Sequence, residues 1–132
     1  MRYAYPAVFE KEKEGGYSIF FPDIENCFTC GESIAEGMAM AEDVLALTLY
    51  SAYEEIDIPV PEASSLENMK VRKGSFATYV YCDTLEYRKM YRNKAVKKTL
   101  SIPEYMNEAA MKAGLSLSQV LQDALKEKLH LA

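Results

Sequence analysis

Residues 96–129 place the strongest constraint on what this chain can fold into. The segment reads VKKTLSIPEYMNEAAMKAGLSLSQVLQDALKEKL and predicts one short strand followed by two helices. Alternating apolar and polar residues over 96–102 predict the strand, whose side chains divide between two faces. The apolar face carries Val96, Leu100 and Ile102, and the polar face carries Lys97, Thr99 and Ser101.

The two helices have their own start and stop signals. Pro103 fits the first turn of a helix because the leading amides have no acceptor there, and Gly114 fits a left-handed cap at its end. The capping box from Ser116 to Gln119 predicts the start of the second helix. Both helices carry apolar residues at helical spacing: Met106, Ala109, Ala110 and Ala113 in the first, and Val120, Leu121, Ala124, Leu125 and Leu129 in the second.

So short a segment cannot form a stable fold by itself. One strand leaves its hydrogen-bond ladder unpaired, and about 35 residues bury too little apolar surface. A second copy would supply a partner strand and complete a core of four helices, so we expect a homodimer. The expected dimer core comprises Val96, Leu100, Ile102, Val120, Leu121 and Leu125. A strand and helical hairpin that only dimerises, without binding DNA, is the alternative.

The order strand, proline, helix, glycine, helix resembles the ribbon-helix-helix family of DNA-binding proteins over this whole segment. In that family a two-stranded ribbon enters the major groove and its outward side chains contact base edges. The resemblance implies that Lys97, Thr99 and Ser101 contact operator DNA. It also implies that the amides near Leu117 and Ser118 bind a phosphate. Basic residues before the strand would add attraction to phosphates: Arg88, Lys89, Arg92 and Lys94.

The formal charge of −5 is unevenly distributed along the chain. Residues 1–69 contain 14 Asp and Glu against 3 Lys and Arg, a balance of −11, whereas residues 70–132 contain 6 against 12, a balance of +6. This asymmetry indicates an acidic half that meets a basic partner and a basic half that meets an anionic one.

The sequence also indicates where the protein resides. No segment reaches the roughly 18 apolar residues that a membrane helix needs, and the N-terminus lacks the apolar core of a signal peptide. Three cysteines are an odd number, which fits a reducing compartment. We therefore expect a cytoplasmic protein with no membrane partner.

Residues 1–92 predict a first domain with the element order strand, strand, strand, helix, strand. Runs of β-branched and aromatic residues bounded by turn residues place the strands at 3–9, 17–21, 27–31 and 76–82. Gly15-Gly16 predicts the first hairpin turn, and Pro6 should lie at a sheet edge or bulge because it lacks an amide donor. We expect the boundary between Tyr91 and Val96, which gives domains 1–92 and 93–132.

Two further capping boxes predict the helices of this domain. Ser33 begins a long helix that ends at about Glu55, and Asp83 begins a short linker helix over about 84–92. Prolines, serines and a glycine predict a loop over about 57–74. Gly37 indicates a close approach of the long helix to the sheet. The expected buried stripe of that helix is Ile34, Met38, Ala41, Leu45, Thr48, Leu49 and Ala52.

Four motifs carry a more specific resemblance: Tyr5-Pro6-Ala7-Val8-Phe9, Gly15-Gly16-Tyr17, Phe21-Pro22-Asp23 and Cys27-Phe28-Thr29. Together with the ribbon-helix-helix tail, they resemble the HicB-type antitoxins of type II toxin–antitoxin systems over most of the chain. One departure is Glu25-Asn26, where family members usually have Pro-Gly. Asn tolerates the left-handed conformation, so we expect the turn to be kept, whereas Glu25 adds a negative charge.

The resemblance implies an α+β protein with two functional domains. The N-terminal domain would be a partial ribonuclease-H-like β-β-β-α-β fold that binds and neutralises a small basic HicA-type toxin, which cleaves mRNA. The C-terminal β-α-α domain would dimerise and bind operator DNA, which represses the protein's own operon. Assembly through the N-terminal sheets would give a dimer of dimers. A ligand- or metal-responsive ribbon-helix-helix repressor is the alternative function.

The residues give little support for an enzyme or a cofactor. A ribonuclease-H-like nuclease needs an acidic residue in its first strand, and residues 3–9 contain none. Cys27 and Cys30 lie in strand-like sequence rather than at a helix start, so we expect a packed Cys27 and an incidental Cys30. Tyrosines near the basic segment are expected to be half-buried packing residues rather than base-stacking ones: Tyr79, Tyr81, Tyr87 and Tyr91.

Overall fold

A computed structural model describes residues 1–131 of the chain. The described chain forms two compact units, which divide between Lys94 and Ala95. We call Met1–Lys94 unit 1 and Ala95–Ala132 unit 2. Over residues 1–131, no helix combines the length and the apolar character that crossing a bilayer requires.

Unit 1 is built on a four-stranded antiparallel sheet with the order β3-β2-β1-β4. The strands are β1 (Arg2–Lys11), β2 (Tyr17–Phe20), β3 (Phe28–Gly31) and β4 (Phe76–Asp83). Gly15 and Gly16 join β1 to β2 with φ values of 100° and 78°, a conformation that favours glycine. The predicted strands and hairpin turn are therefore confirmed.

Two local predictions about the sheet are also confirmed. β4 pairs with β1 along residues 2–9, whereas β2 pairs only with residues 8–11. Pro6 therefore lies where β1 has a neighbour on one side only, so its missing amide removes no bond to β2. Asn26 adopts a φ of 55°. The turn before β3 therefore keeps its left-handed residue, as predicted, although Glu25-Asn26 replaces the usual Pro-Gly.

The helices of unit 1 begin at the predicted caps. α1 (Ile34–Leu49) begins at Ser33, whose hydroxyl accepts a hydrogen bond from the Glu36 amide at 3.1 Å, and continues as a π-helical turn over Tyr50–Glu54. α2 (Thr84–Tyr91) begins at Asp83, whose carboxylate accepts from the Leu85 amide at 2.9 Å. The intervening loop contains one 3-10 turn, Leu66–Asn68.

The buried stripe of α1 differs from the predicted one. The prediction is correct for Ala41, Leu45 and Leu49, and Thr48 is half-buried, but Ile34, Met38 and Ala52 are exposed. Gly37 and Ala46 are buried instead. The reason is the close approach of α1 to the sheet: a Cβ on Gly31 would lie 2.6 Å from the Gly37 backbone, and a Cβ on Gly37 would lie 2.9 Å from Cδ1 of Ile19. The glycine side of α1 therefore faces the sheet.

The core of unit 1 lies between α1 and the inner face of the sheet. Its larger members are Tyr5, Phe9, Ile19, Phe21, Ile24, Leu45, Leu49 and Val80. Phe9 stacks on Phe76 with ring centroids 4.8 Å apart. The Tyr5 hydroxyl donates to the Pro61 carbonyl, which fixes the start of the long loop against this core.

Unit 2 contains two helices, α3 (Glu104–Lys112) and α4 (Leu117–Leu129). Pro103 precedes α3 as its capping residue, one position before the predicted first turn. Gly114 has a φ of 69°, as predicted for a left-handed cap. The Ser116 hydroxyl accepts from the Gln119 amide at 3.3 Å, which confirms the predicted start of α4.

Residues 93–103 form no strand within the described chain. The predicted strand over 96–102 therefore has no partner among residues 1–131. A ribbon of two such strands needs a second chain, because each strand's ladder would be completed by the other copy. The ribbon and the dimer remain predictions.

Candidate interaction surfaces

All six predicted dimer-core residues of unit 2 are exposed in the single chain. Their exposed fractions run from 36% to 77%, and the six are Val96, Leu100, Ile102, Val120, Leu121 and Leu125. Neither α3 nor α4 has a buried residue. An apolar surface of this extent is unusual for a soluble monomer and marks an interaction surface.

The predicted DNA-binding side chains lie on two parts of unit 2 and at the end of unit 1. Lys97, Thr99 and Ser101 are exposed on the extended segment before α3. At the first turn of α4, the amides of Leu117 and Ser118 have no acceptor within residues 1–131, and the helix dipole favours an anion there. Lys94 is exposed but belongs to unit 1.

The net charges of the two structural units differ from those of the two halves of the sequence. Unit 1 contains 16 Asp and Glu against 10 Lys and Arg, a balance of −6. Unit 2 contains 4 against 5, a balance of +1. The basic surplus of the second half thus belongs largely to residues 70–94. Attraction of unit 2 to DNA would therefore depend on where its lysines lie, rather than on a large net charge.

Helix α1 carries three exposed carboxylates. Glu36, Glu42 and Asp43 are exposed and form no ion pair within residues 1–131, and α1 contains no Lys or Arg. The basic residues of α2, and Arg92 directly after it, contact other groups. Lys89 pairs with Glu86 at 3.3 Å, Arg92 pairs with Glu55 at 3.3 Å, and the Arg88 guanidinium lies 5.4 Å from the Tyr50 ring centroid.

A groove of about 350 Å³ lies between α1, α2 and β3. Its apolar lining comprises Met40, Val44, Leu47, Tyr87 and Tyr91, and Thr29 and Asp43 complete it. The sequence reasoning assigned α1 a single apolar stripe and so missed this groove. The signal was present, because Met40, Val44 and Leu47 recur at a helical spacing of four and three residues.

A polar cluster around Glu54 has a structural role. The Glu54 carboxylate accepts hydrogen bonds from the hydroxyls of Tyr3 at 2.6 Å and Thr84 at 2.9 Å, and the Met1 amino group donates to the Thr84 hydroxyl at 3.1 Å. Burial, followed by the hydrogen bond to Glu54, raises the pKa of Tyr3 well above its ordinary value. The cluster therefore joins β1, the π-helical turn and the start of α2.

The cysteines and tyrosines divide into buried and exposed positions. Cys27 is buried and Cys30 is exposed, which confirms the prediction of a packed Cys27. Burial raises the pKa of the Cys27 thiol, which keeps it protonated. Among the tyrosines predicted to be half-buried, only Tyr87 is; Tyr79, Tyr81 and Tyr91 are exposed, so that prediction is wrong for these three.

The carboxylates of Asp23, Glu36 and Asp43 have separate surroundings rather than forming a nuclease site. Asp23 accepts from the amide of Ser64 at 2.9 Å and so fixes the long loop, whereas Glu36 and Asp43 lie on the exposed side of α1. Within residues 1–131, no group of three or more His, Cys, Asp or Glu residues has an arrangement that could hold a metal ion.

Comparison with known proteins identifies the relatives of this chain. Residues 5–124 match a family model described as the HicB-like antitoxin of bacterial toxin–antitoxin systems. The antitoxin HicB of Escherichia coli strain K12 is 39% identical over 64 residues, which cover 48% of this chain and 46% of that relative. The chain thus aligns with about half the length of this relative.

Two solved structures extend the similarity to almost the whole chain. A chain of a toxin–antitoxin complex from Streptococcus pneumoniae is 30% identical, with a TM-score of 0.62, and the match covers 97% of this chain and 99% of that one. The crystal structure of antitoxin HicB3 is 25% identical, with a TM-score of 0.51, and the match covers 96% and 97% of the two chains.

Proposed function

This chain belongs to the HicB-like antitoxins of bacterial toxin–antitoxin systems, and on that basis we propose that it neutralises a toxin and represses its own operon. Unit 1, with a partial ribonuclease-H-like fold, would bind a HicA-type mRNA-cleaving toxin in the cytoplasm. Unit 2 would form a ribbon-helix-helix homodimer that binds operator DNA. The proposal assigns the chain no catalytic step.

The family match over residues 5–124 is the observation that carries the toxin-binding half of this proposal. It spans unit 1 and most of unit 2, so both units enter the same functional assignment. The similar structure from Streptococcus pneumoniae is described as a toxin–antitoxin complex, which supports a toxin as the partner. The acidic balance of unit 1 agrees with this, because proteins that bind RNA are basic and opposite charge speeds docking.

The exposed apolar residues of unit 2 support the dimer. Val96, Leu100 and Ile102 alternate with polar residues on an extended segment, and α4 presents Val120, Leu121 and Leu125 beside no buried residue. A second copy would cover both sets at once by pairing the two segments and packing four helices. The polar side of the ribbon would then carry Lys97, Thr99 and Ser101 outward from both chains.

The proposed DNA contacts fall into two classes. Lys97, Thr99 and Ser101 would contact base edges in the major groove, which gives sequence preference. The free amides of Leu117 and Ser118, together with Lys94, would bind phosphates, which positions the ribbon without reading sequence. Further pairing through the sheets of unit 1 would produce a dimer of dimers.

Co-expression with the neighbouring reading frame tests the proposal directly. The tagged chain, purified from cells that express both genes, should retain a basic protein of under about 100 residues, and expression of that protein alone should arrest growth. Purification of the chain alone with a stoichiometric metal or metabolite would favour a ligand-responsive repressor and contradict the antitoxin assignment.

A further inference from the structure

We propose that the groove between α1 and α2 is the surface on which the basic protein partner of unit 1 docks. This inference rests on the proposed function, because it names the site at which the toxin would bind. The anchor is apolar and consists of Met40, Leu47 and Tyr91. The charged flank consists of Asp43, which lines the groove, and Glu36, which lies on the same face of α1 seven residues earlier.

The groove walls expose more apolar surface than the fold requires. Leu47 is 45% exposed, Met40 is 41% exposed and Tyr91 is 60% exposed, and the three line one cavity rather than being scattered over the unit. The adjacent side of α1, which carries Gly37, Ala41 and Leu45, already covers the sheet. The second apolar stripe of α1 therefore contributes little to the core of unit 1, and a partner that covered it would gain contact free energy.

Charge identifies the chemistry of that partner. Glu36 and Asp43 have no ion pair within residues 1–131, whereas Lys89 of α2 and Arg92, directly after α2, each pair with a carboxylate. The groove is thus flanked by negative charge that the chain itself leaves uncompensated. A protein that presents apolar side chains beside Lys or Arg would complement both features.

The same charges argue against the other possible occupants. A nucleic acid would bring its phosphates against the carboxylates of α1, which is repulsive. A second copy related by a two-fold axis through this groove would bring the same carboxylates near those of its partner. Like charges across an interface oppose association, so the groove fits a basic protein better than it fits itself.

The geometry also indicates how the energy of binding is distributed. Leu47 and Met40 belong to the apolar lining, so they would be desolvated on docking and would act as anchors. Asp43 borders the cavity and is exposed, so it would act mainly by steering the encounter. Loss of an anchor should therefore raise the dissociation rate, and reversal of the Asp43 charge should lower the association rate.

The experiment uses the full chain and the product of the neighbouring reading frame as the probe. Leu47→Lys should weaken its binding about 100-fold, and Asp43→Lys should weaken it about tenfold, less so at high salt. The matched controls lie in the long loop: Val71, 42% exposed, changed to Lys, and Glu67, exposed and unpaired within residues 1–131, changed to Lys. Both controls should bind within about twofold of the parent chain.

Each alternative result has a separate meaning. Failure of the parent chain to bind the probe would overturn the proposed function, and this inference with it. Parent-like binding by Leu47→Lys and Met40→Lys, with unchanged thermal unfolding, would overturn the groove alone. Equal weakening by Val71→Lys would show a general charge effect and also reject the groove. If the Leu47→Lys variant, measured by light scattering without the probe, formed a smaller assembly than the parent chain, the groove would be a contact between copies of this chain.

Discussion

The two units of this chain solve the problem of burying apolar surface in different ways. Unit 1 packs α1 onto a four-stranded sheet and buries aromatic and aliphatic side chains from β1, β2, β4 and the turn before β3. Unit 2 has helices with correct caps and apolar stripes, yet none of their residues is buried. Local signals are equally complete in both units, so the difference lies in whether one chain supplies both sides of a core.

This contrast implies different sources of stability. Unit 1 has long-range strand pairing and a buried helix, so its free energy of unfolding should not depend on protein concentration. Unit 2 would obtain its core from a second chain, and its folding would be coupled to association. Changes in unit 2 should therefore alter assembly and DNA binding, whereas changes in the core of unit 1 should alter intrinsic stability.

The largest expected effect is loss of the dimer. Leu100→Asp would place a carboxylate in the predicted dimer core, where an unpaired charge costs several kcal/mol. We expect the variant to be monomeric in light scattering and to lose operator binding, while the thermal transition of unit 1 stays where it was. Met111→Asp, on an exposed α3 position outside the predicted core, should remain dimeric. A dimeric Leu100→Asp variant would remove the distinction between the units.

The converse test perturbs unit 1. Gly37→Val would push side-chain atoms into the contact of α1 with Ile19 and Phe9, and we expect unit 1 to lose about 1–3 kcal/mol of stability. Ala39→Val introduces the same side chain on the exposed side of α1 and should cost little. Denaturant unfolding would compare the two. Equal destabilisation by both would contradict the close helix–sheet contact as its cause.

A smaller change tests the polar side of unit 2. Lys97→Ala or Thr99→Ala should weaken binding to the DNA upstream of the gene by about 1–3 kcal/mol for each lost base contact, without dissociating the dimer. Lys112→Ala, at the end of α3, serves as the control for loss of one positive charge. Gel-shift titrations at fixed salt would measure the affinities. Unchanged binding by both ribbon variants would contradict the assignment of residues 96–102 as the reading strand.

The sequence predicted the elements better than it predicted their surfaces. Capping residues such as Ser33, Asp83 and Ser116 act on adjacent amides, so their helices could be placed from local spacing alone. The orientation of α1 could not, because two apolar stripes compete on one helix. The close contact between Gly31 and Gly37 decides between them, and that contact joins residues from different elements.

The candidate sites show the same limit. Lys97, Thr99 and Ser101 could be selected from alternation within a single segment. The groove around Leu47 and Tyr91 could not, because it depends on how α2 lies against α1. The net charge of the DNA-binding part was also misjudged from the sequence. Residues 70–132 have a balance of +6, but unit 2, which would bind DNA, has a balance of only +1. Net charge depends on where the units divide, which residue spacing alone does not determine.

The subtlest test uses the cysteines, all three of which lie in unit 1. Cys30 is exposed, whereas burial raises the pKa of Cys27 and raises that of Cys82 from 9.0 to about 12. The thiolate is the reactive form, so at pH 8 iodoacetamide should label Cys30 rapidly and the other two only through unfolding. Labelling, followed by mass spectrometry, therefore reports on unit 1 alone.

The labelling rates of Cys27 and Cys82 report the stability of unit 1 separately from the assembly of unit 2. Leu100→Asp should leave Cys27 and Cys82 as protected as in the parent chain, whereas Gly37→Val should speed their labelling in proportion to the lost stability. The raised pKa of Cys82 also gives a direction with pH. Because the folded state favours the protonated thiol, Cys82 contributes to the free energy of unfolding. This contribution is complete below about pH 9 and is lost between pH 9 and 12 as the unfolded thiol ionises. Faster labelling of Cys82 in Leu100→Asp at pH 8 would mean that unit 1 depends on the dimer after all.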